Sequence, residues 1–459
     1  MKLLKFYRKG NYMITIPILA NFLSINSKDI DDISSIIRDD GNYITIKLKK
    51  KECSCPSCYS SHYKSKGFVK RNIKHALFLG KATTFLLICR RYTCLECGKT
   101  FTESNQFAPK KSKTSYETIR IVLDAASRYN NTWKEIGEKA HISDMSAINI
   151  FDRYVNLPRG TFPRVVSIDE CYNKHQFSKA YSCIFFDFLG RKIIDVVEDR
   201  SKLHLSNYLS KIKREERENV QYVVIDMWEP YLDIASIYFP NATIAIDSFH
   251  VLKDIGFALS QVRRRIMKGF PTKTKEYYLL KKWNFVLFNE YPIWEEKFKV
   301  KGLGNRHYNC YQLQQMIIST NEELRIAHEF YIRYKRMNKL TNIESAPSMI
   351  DSFINDKEII VVEEFRTVIT MLINWRTWII NSFNIVENRR LSNGPIEGFN
   401  SNFKKMMTVS NGLYSFQRFR NRLMFCYNKP NCFAPVKVRI PKRPRGKRGP
   451  YKKPKNANS

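Results

Sequence analysis

Two sets of side chains in this sequence are spaced for chemistry. The first is three carboxylates. Asp169 lies in Ser167-Ile168-Asp169-Glu170, Asp226 in Val224-Ile225-Asp226-Met227-Trp228, and Glu397 in Asn393-Gly-Pro-Ile-Glu397-Gly-Phe-Asn400. Each ends an apolar run or sits beside Gly-Pro sequence. Most of the 43 Asp and Glu are expected to be solvated surface charges. An acid set among apolar residues is costly without a partner. Three such acids converging in a fold can hold two divalent cations, Mg²⁺ or Mn²⁺, and cut or rejoin phosphodiester bonds. The nearby Glu170, Asp187, Asp195 and Glu229 are read as structural or surface charges.

The second set is thiols. Six of the eleven cysteines fall between Cys53 and Cys97. Cys55-x-x-Cys58 and Cys94-x-x-Cys97 are two knuckles, and four thiolates satisfy tetrahedral Zn²⁺. Residues 68–91 between them read as a β-hairpin, so the unit is expected to be a zinc ribbon. Cys53 and Cys89 are spare, and His62 and His75 are weaker ligand candidates. Lys64, Lys66, Lys70, Arg71, Arg90 and Arg91 suit DNA phosphates. Clustered cysteines with metal spacing imply a reducing compartment rather than disulfides.

The whole chain is basic, with a formal charge of +35 over 459 residues and a pI near 9.7. Such an excess attracts nucleic acid or an anionic membrane surface. No apolar run approaches the roughly 18 residues a membrane span needs. The apolar stretch 14–22 is broken by Pro17 and Asn21 and lacks a clear cleavage site, so no signal peptide is expected. Double-stranded DNA is the expected partner.

The positioning elements follow from periodicity. Strands are read at 164–168, 181–188 and 192–197, a helix at 203–212, a strand at 220–225, a helix at 231–238 and a strand at 242–246. That order is an α/β, RNase H-like core: a mixed sheet with flanking helices. Asp169 would close its first strand and Asp226 its fourth. Residues 164–250 form the first part of this core, 251–390 a large all-helical insertion, and 391–430 the C-terminal catalytic helix with Glu397. Upstream lie an N-terminal segment at 1–50, the ribbon at 51–105 and a helix-turn-helix at 112–157. The tail 436–459 has ten Lys/Arg, four Pro and no acid, and reads as a disordered basic arm.

In the helix-turn-helix, Trp133, Ile136 and Ala140 mark one buried face, Ser143 caps the next helix, and Ile148 and Phe151 return to the core. Asp144, Ser146, Asn149, Asp152 and Arg153 would be exposed, with Asn149 and Arg153 as DNA contacts. Asp247 and His250 share one face of an opening helical turn and are expected to orient DNA near the metals. Arg263, Arg264, Arg265, Lys404 and Lys405 are expected to face phosphates. Trp375 and Trp378 are read as core.

These motifs resemble the ISL-three family of bacterial DDE insertion-sequence transposases. The resemblance runs from Cys55 to about Asn428. It is carried by Cys55–Cys58, Arg91-Tyr-Thr-Cys-Leu-Glu-Cys-Gly-Lys-Thr-Phe-Thr-Glu103, Ser167–Glu170, Asp226-Met-Trp-Glu-Pro-Tyr231, Phe239-Pro-Asn-Ala242, Asp247-Ser-Phe-His-Val251 and Asn393–Asn400. It implies that Asp169, Asp226 and Glu397 form the catalytic triad. It also implies that the ribbon and helix-turn-helix bind terminal inverted repeats. An end would be cut by a metal-activated water, and the freed 3′-hydroxyl would attack target DNA without a covalent enzyme intermediate. A homo-oligomer on DNA and a bacterial cytoplasmic location follow from the same resemblance. Residues 406–414 and Cys171-Tyr172 depart from the pattern. The alternatives are a transposase-derived DNA-binding regulator and an RNase H-like nuclease without strand transfer.

Overall fold

The computed structural model describes residues 29–78, 80–173, 177, 179–409 and 415–429. The stretch 14–22, residues 410–414 of the departing segment and the basic arm 436–459 lie outside the described residues. The chain forms two compact units, divided after Leu157.

In the first unit, β1 (Ile30–Arg38) and β2 (Gly41–Leu48) form a hairpin. β2 then pairs in parallel with β4 (Lys81–Cys94), the partner of the long β3 (Tyr63–Phe78). β5 (Thr100–Thr102) closes on β4. Residues 30–48 therefore share the sheet of the cysteine-bearing hairpin, and the boundary expected at 50/51 does not separate two bodies. Phe85, Leu87 and Cys89 alternate into one core with Ile33, Ile44, Ile46 and Ile73. Tyr92 and Cys94 are buried in a smaller core with Cys55 and Phe101.

Three helices follow: α1 (Tyr116–Ala126), α2 (Trp133–Ala140) and α3 (Asp144–Tyr154). Thr132 and Glu135 make a reciprocal capping box at the start of α2, and Ser143 caps α3. His141 closes α2 in the left-handed region. A Cβ at Gly137 would stand 2.7 Å from the Ile142 carbonyl oxygen, so this tight turn requires glycine. Trp133, Ile136 and Ala140 are buried as expected. On α3 the buried face is Ala147, Ile150, Phe151 and Tyr154, and Ile148 is only half-buried.

The second unit is built on β6 (Val165–Tyr172), β7 (Tyr181–Asp187), β8 (Lys192–Val197), β9 (Tyr222–Ile225) and β10 (Thr243–Ile246). The sheet order is β10-β9-β6-β7-β8. β6, β9 and β10 run parallel, and β7 and β8 run antiparallel beside them. α4 (Lys202–Leu209), α5 (Arg214–Glu218) and α6 (Glu229–Tyr238) fill the crossovers. The middle strands are apolar on both faces, as strands covered on both sides must be.

The following segment, expected to be all-helical, is mainly helical: α7 (Ser248–Lys268), α8 (Lys275–Lys282), α9 (Cys310–Ile318), α10 (Glu322–Leu340), α11 (Ala346–Ile354) and α12 (Arg366–Asn381). Two short antiparallel pairs interrupt it, Phe298–Val300 with Arg306–Tyr308 and Ile385–Val386 with Arg389–Arg390. One apolar core runs without a break from Phe162 and Ile168 through Val251 and Phe330 to Phe383. These helices and the sheet thus fold as one body. Trp375 and Trp378 pack against that core and meet each other edge to face. The chain returns as α13 (Gly394–Val409) and α14 (Phe416–Asn428).

Both sheet edges are closed by asparagines. Asn381 Nδ2 donates to the Ile244 carbonyl on β10 at 2.8 Å. Asn428 accepts from the Ile193 amide and donates to the Ile193 carbonyl on β8, both at 2.9 Å. α14 is also tied to β8 by a buried ion pair, Arg420 Nε to Asp195 Oδ1 at 2.5 Å. Tyr208 donates to the other Asp195 oxygen at 2.7 Å. Removing one member strands a buried charge. Arg420→Met should therefore destabilise the protein by about 3 kcal/mol in urea unfolding. Adding Asp195→Leu should recover a large part of that loss.

Candidate functional site

The acid centre is set by strand register. Ile168 on β6 stands opposite Ile225 on β9, and Ile225 opposite Ile246 on β10. The next residues are Asp169, Asp226 and Asp247. Three carboxylates therefore occupy one row across three adjacent parallel strands. Asp226 and Asp247 directly follow β9 and β10, whereas Asp169 does not close its strand as expected but lies within β6, which runs on to Tyr172 beside β7. Asp169 and Asp247 are buried and Asp226 is half-buried.

α13 brings the fourth acid. Asn393, Glu397 and Asn400 fall at i, i+4 and i+7 and share one helical face. Asn393 Nδ2 donates to Asp226 Oδ1 at 2.8 Å, and Asn400 Nδ2 donates to Asp169 Oδ2 at 2.6 Å. Glu397 lies between these two anchors, exposed, within the electrostatic field of Asp247 and Asp169. Asn400 is itself oriented, because Cys171 Sγ donates to its Oδ1 at 3.1 Å. Burial and the Asp169 charge raise the Cys171 thiol, keeping it protonated as a donor. The departure noted at Cys171 thus has a positioning function.

His250 completes the centre from the first turn of α7. Its Nδ1 lies 3.3 Å from Asp226 Oδ1 and 3.5 Å from Asp247 Oδ2. Neither contact is a well-aligned hydrogen bond, and Asp247 Oδ2 and His250 Nδ1 are buried without a hydrogen-bond partner. Single ligand atoms of Asp226, Asp247 and His250 all lie within 4.8 Å of one another. Burial, then the Asp226 charge, pushes Asp169 up to about 8. Asp226 is raised by burial, against the pull of His250 and Asn393. Glu397 is raised by partial burial and by Asp247 and Asp169. His250 is raised chiefly by Asp247. Orphaned oxygens in a repelling acid cluster fit hard divalent cations such as Mg²⁺.

Several expectations change. Asp247, read as a DNA contact, is a buried member of the acid row. Arg263 is buried on α7, where its Nη1 donates to the Leu280 carbonyl at 2.6 Å, so it does not face phosphate. Arg265 is held by Glu364 at 2.8 Å and by Glu323. Arg264 is exposed. Lys404 and Lys405 are exposed on α13, and the Lys404 charge reaches Cys171. Asn149 and Arg153 are exposed on α3, within the first unit.

Sequence reasoning passed over one group beside the acids. The Arg200 guanidinium lies between the rings of Tyr181, at 4.1 Å, and Trp228, at 4.6 Å, and pairs with Glu170. Trp228 lies two residues after Asp226. No helical or strand periodicity joins these four positions.

In the first unit, ligand atoms of Cys55, Cys58, Cys94 and Cys97 all lie within 4.8 Å of one another. Cys55 Sγ is 3.6 Å from Cys97 Sγ, and Cys58 Sγ is 3.5 Å from Cys94 Sγ. Tetrahedral zinc with Zn–S bonds of about 2.3 Å spaces its sulfurs by about 3.8 Å, which these distances approach. Backbone N–H groups of Cys58 and Ser57 lower the Cys55 thiol to about 6. Neither histidine candidate joins the cluster. His62 is exposed beside Glu96 at 3.2 Å. His75 stacks on Phe85 and bonds Ser115.

Among the described residues, no helix is long and apolar enough to cross a membrane. The family model for ISL-three DDE elements, described as a transposase, matches residues 166–423, more than half of the chain. No curated protein matches the chain.

Two outcomes are expected. Cys94→Ser should lower zinc content below one ion per chain, measured by atomic emission after gel filtration. The second concerns proton linkage. A carboxylate with a raised pKa binds its proton more tightly in the folded state. Its folding contribution is then lost as pH rises from about 4 to about 8. In zinc-loaded, magnesium-free buffer, the melting temperature of Asp226→Asn should exceed that of the parent by a few degrees at pH 8. The gap should close toward pH 4.

Proposed function

We propose a mechanism from one premise: the chain belongs to the ISL-three family of DDE transposases. It is a DNA transposase in which Asp169, Asp226 and Glu397 carry the reaction on an RNase H-like core. The reading rests on one observation above the others. Asn393, immediately before α13, and Asn400, on it, bond Asp226 and Asp169, and Glu397 lies between them in sequence.

The three acids would hold two Mg²⁺ or Mn²⁺ ions. When bound, such ions polarise the scissile phosphodiester and acidify a water or a 3′-hydroxyl. The chain's own residues do the positioning. Asn393 fixes the Asp226 carboxylate, and Asn400, aimed by Cys171, fixes that of Asp169. His250 offsets the charge of Asp226 and Asp247 while the site is open. Glu397, exposed on the rim, would complete the metal ligands from the α13 side. Cleavage of the element's end and attack of the freed 3′-hydroxyl on target DNA then use the same acids in succession. No serine or tyrosine nucleophile is required.

The four-cysteine unit, with zinc bound, and the α2–α3 pair would recognise the terminal inverted repeats. Asn149 and Arg153 are offered on α3, and Lys66, Lys70 and Arg91 are exposed on β3 and β4. Two bound ends call for a homo-oligomer on DNA. Binding should weaken steeply with salt as counterions are released.

Asp226→Asn should lower strand cleavage by at least about 10³-fold, since a metal ligand is lost. End binding in a gel-shift assay should persist. Cleavage at the parent rate would overturn the assignment. Joining of pre-cut ends to a target plasmid separates a transposase from a nuclease that only cuts.

A further inference from the structure

α7 starts at the acid centre, with Asp247 as its N-terminal flanking residue and His250 in its first turn. Its buried face, including Val251, Ile255, Leu259, Val262 and Ile266, packs into the common core. The opposite face has a different composition. Phe249, Lys253, Phe257, Ser260, Arg264 and Lys268 are spaced by 4, 4, 3, 4 and 4 residues. At 100° per residue they fall within a stripe about 100° wide, without a carboxylate. Phe249 is 53% exposed and Phe257 59% exposed. Lys253, Arg264 and Lys268 are exposed, and none makes a salt bridge among the described residues.

Exposed phenylalanines are unfavourable unless something covers them. An interleaved line of unpaired cations makes an acidic, flat-ringed occupant the complementary one. From Phe249 to Lys268 the helix rises about 28 Å, close to the length of eight base pairs. Phe249 is edge-on to His250, with centroids 5.7 Å apart, so the stripe is continuous with the acid centre. Phe257 also borders a cleft of about 580 Å³ that carries Asp254, Glu363 and Glu364. Those acids repel phosphate from that flank. Backbone phosphates are therefore directed along Lys253 and Arg264, and bases toward the phenylalanines.

We infer that this face of α7 is the track along which the DNA strand flanking the scissile phosphate leaves the active site. Lys253, Arg264 and Lys268 neutralise its phosphates, and Phe249 and Phe257 stack on unpaired bases next to the cut. The inference rests on the transposase reading of the acid centre and adds the path of the substrate strand.

The test uses the full-length, zinc-loaded protein with Asp226→Asn as background, so that bound DNA is not cut. Probes are a mixed-sequence 30-nucleotide single strand and the matching duplex. The triple variant Lys253→Ala/Arg264→Ala/Lys268→Ala should reduce the slope of log affinity against log salt. The loss should be about 2 for single-stranded DNA and nearer 3 for duplex. Phe257→Ala should weaken the single strand about tenfold and the duplex far less, and Phe257→Trp should restore binding. A photo-crosslinking residue at 257 should capture the single strand, whereas one at the exposed Ile237 should not. All substituted side chains are exposed, and an unchanged melting temperature verifies the fold. An unchanged salt slope, or equal crosslinking at 257 and 237, would overturn the track. The cleavage assay on the otherwise unaltered protein is independent. Intact cleavage with an unchanged slope sinks the track alone, while a changed slope without cleavage on any substrate sinks the catalytic reading.

Discussion

Everything in the second unit is arranged around a repulsion. Register places Asp169, within β6, in one row with Asp226 and Asp247, which directly follow β9 and β10. Strands lie about 4.8 Å apart. Unit charges at that spacing repel by roughly 3 kcal/mol per adjacent pair at an effective dielectric near 20. The sheet holds them there because its strands are locked by apolar packing on both faces and cannot slip without turning every buried side chain outward. Rigidity of the strands comes first, and the charged row is imposed on it.

The same constraint explains the form of the returning helix. A plain apolar helix could cover β6 and β9, but it would leave the carboxylates without donors. α13 and the residue just before it supply two amides seven residues apart, which reach Asp226 and Asp169. The ends of the sheet are secured in a related way, through Asn381 and Asn428. Side-chain amides can donate and accept without carrying charge. They hold the acids in place while leaving the local charge uncompensated. The continuous core from sheet to α12 makes the long excursion before α13 part of the same body. The return of Glu397 therefore does not depend on a flexible linker.

The strand order and the positions of Asp169 and Asp226 were readable from sequence because apolar runs of strand length end at each acid. The four thiols were readable because metal spacing is local. Glu397 was readable as a distinctive acid, but its destination depended on Asn393 and Asn400, whose bonds span more than 160 residues of chain. The Asp247 assignment missed its place in the row because strand pairing is not written in local periodicity. Arg263 was misplaced for another reason. In Arg263-Arg264-Arg265 successive residues turn by 100°, so the three cannot share a face. The helix buries the first, exposes the second and engages the third with acids. The Arg200 cluster joins β6, β7 and the loop after β9, and only the folded chain brings it together.

Another buried carboxylate of the second unit is treated differently from the acid row. Asp195 is a buried carboxylate, and the fold compensates it fully with Arg420 and Tyr208. This is how a structural acid is treated. The chain has 78 Lys and Arg to draw on. Yet among the described residues none forms a salt bridge with Asp169, Asp226, Asp247 or Glu397. Their partners are neutral amides and one histidine. A fixed guanidinium would have relieved the repulsion and occupied the place where, on the mechanism proposed above, a phosphate and its counter-cation would sit. On that mechanism, leaving the row uncompensated would keep the place for a divalent cation, and the basic surface would gather the polyanion around it. The stability withheld from the free protein would then return as affinity for the charged species that completes the site.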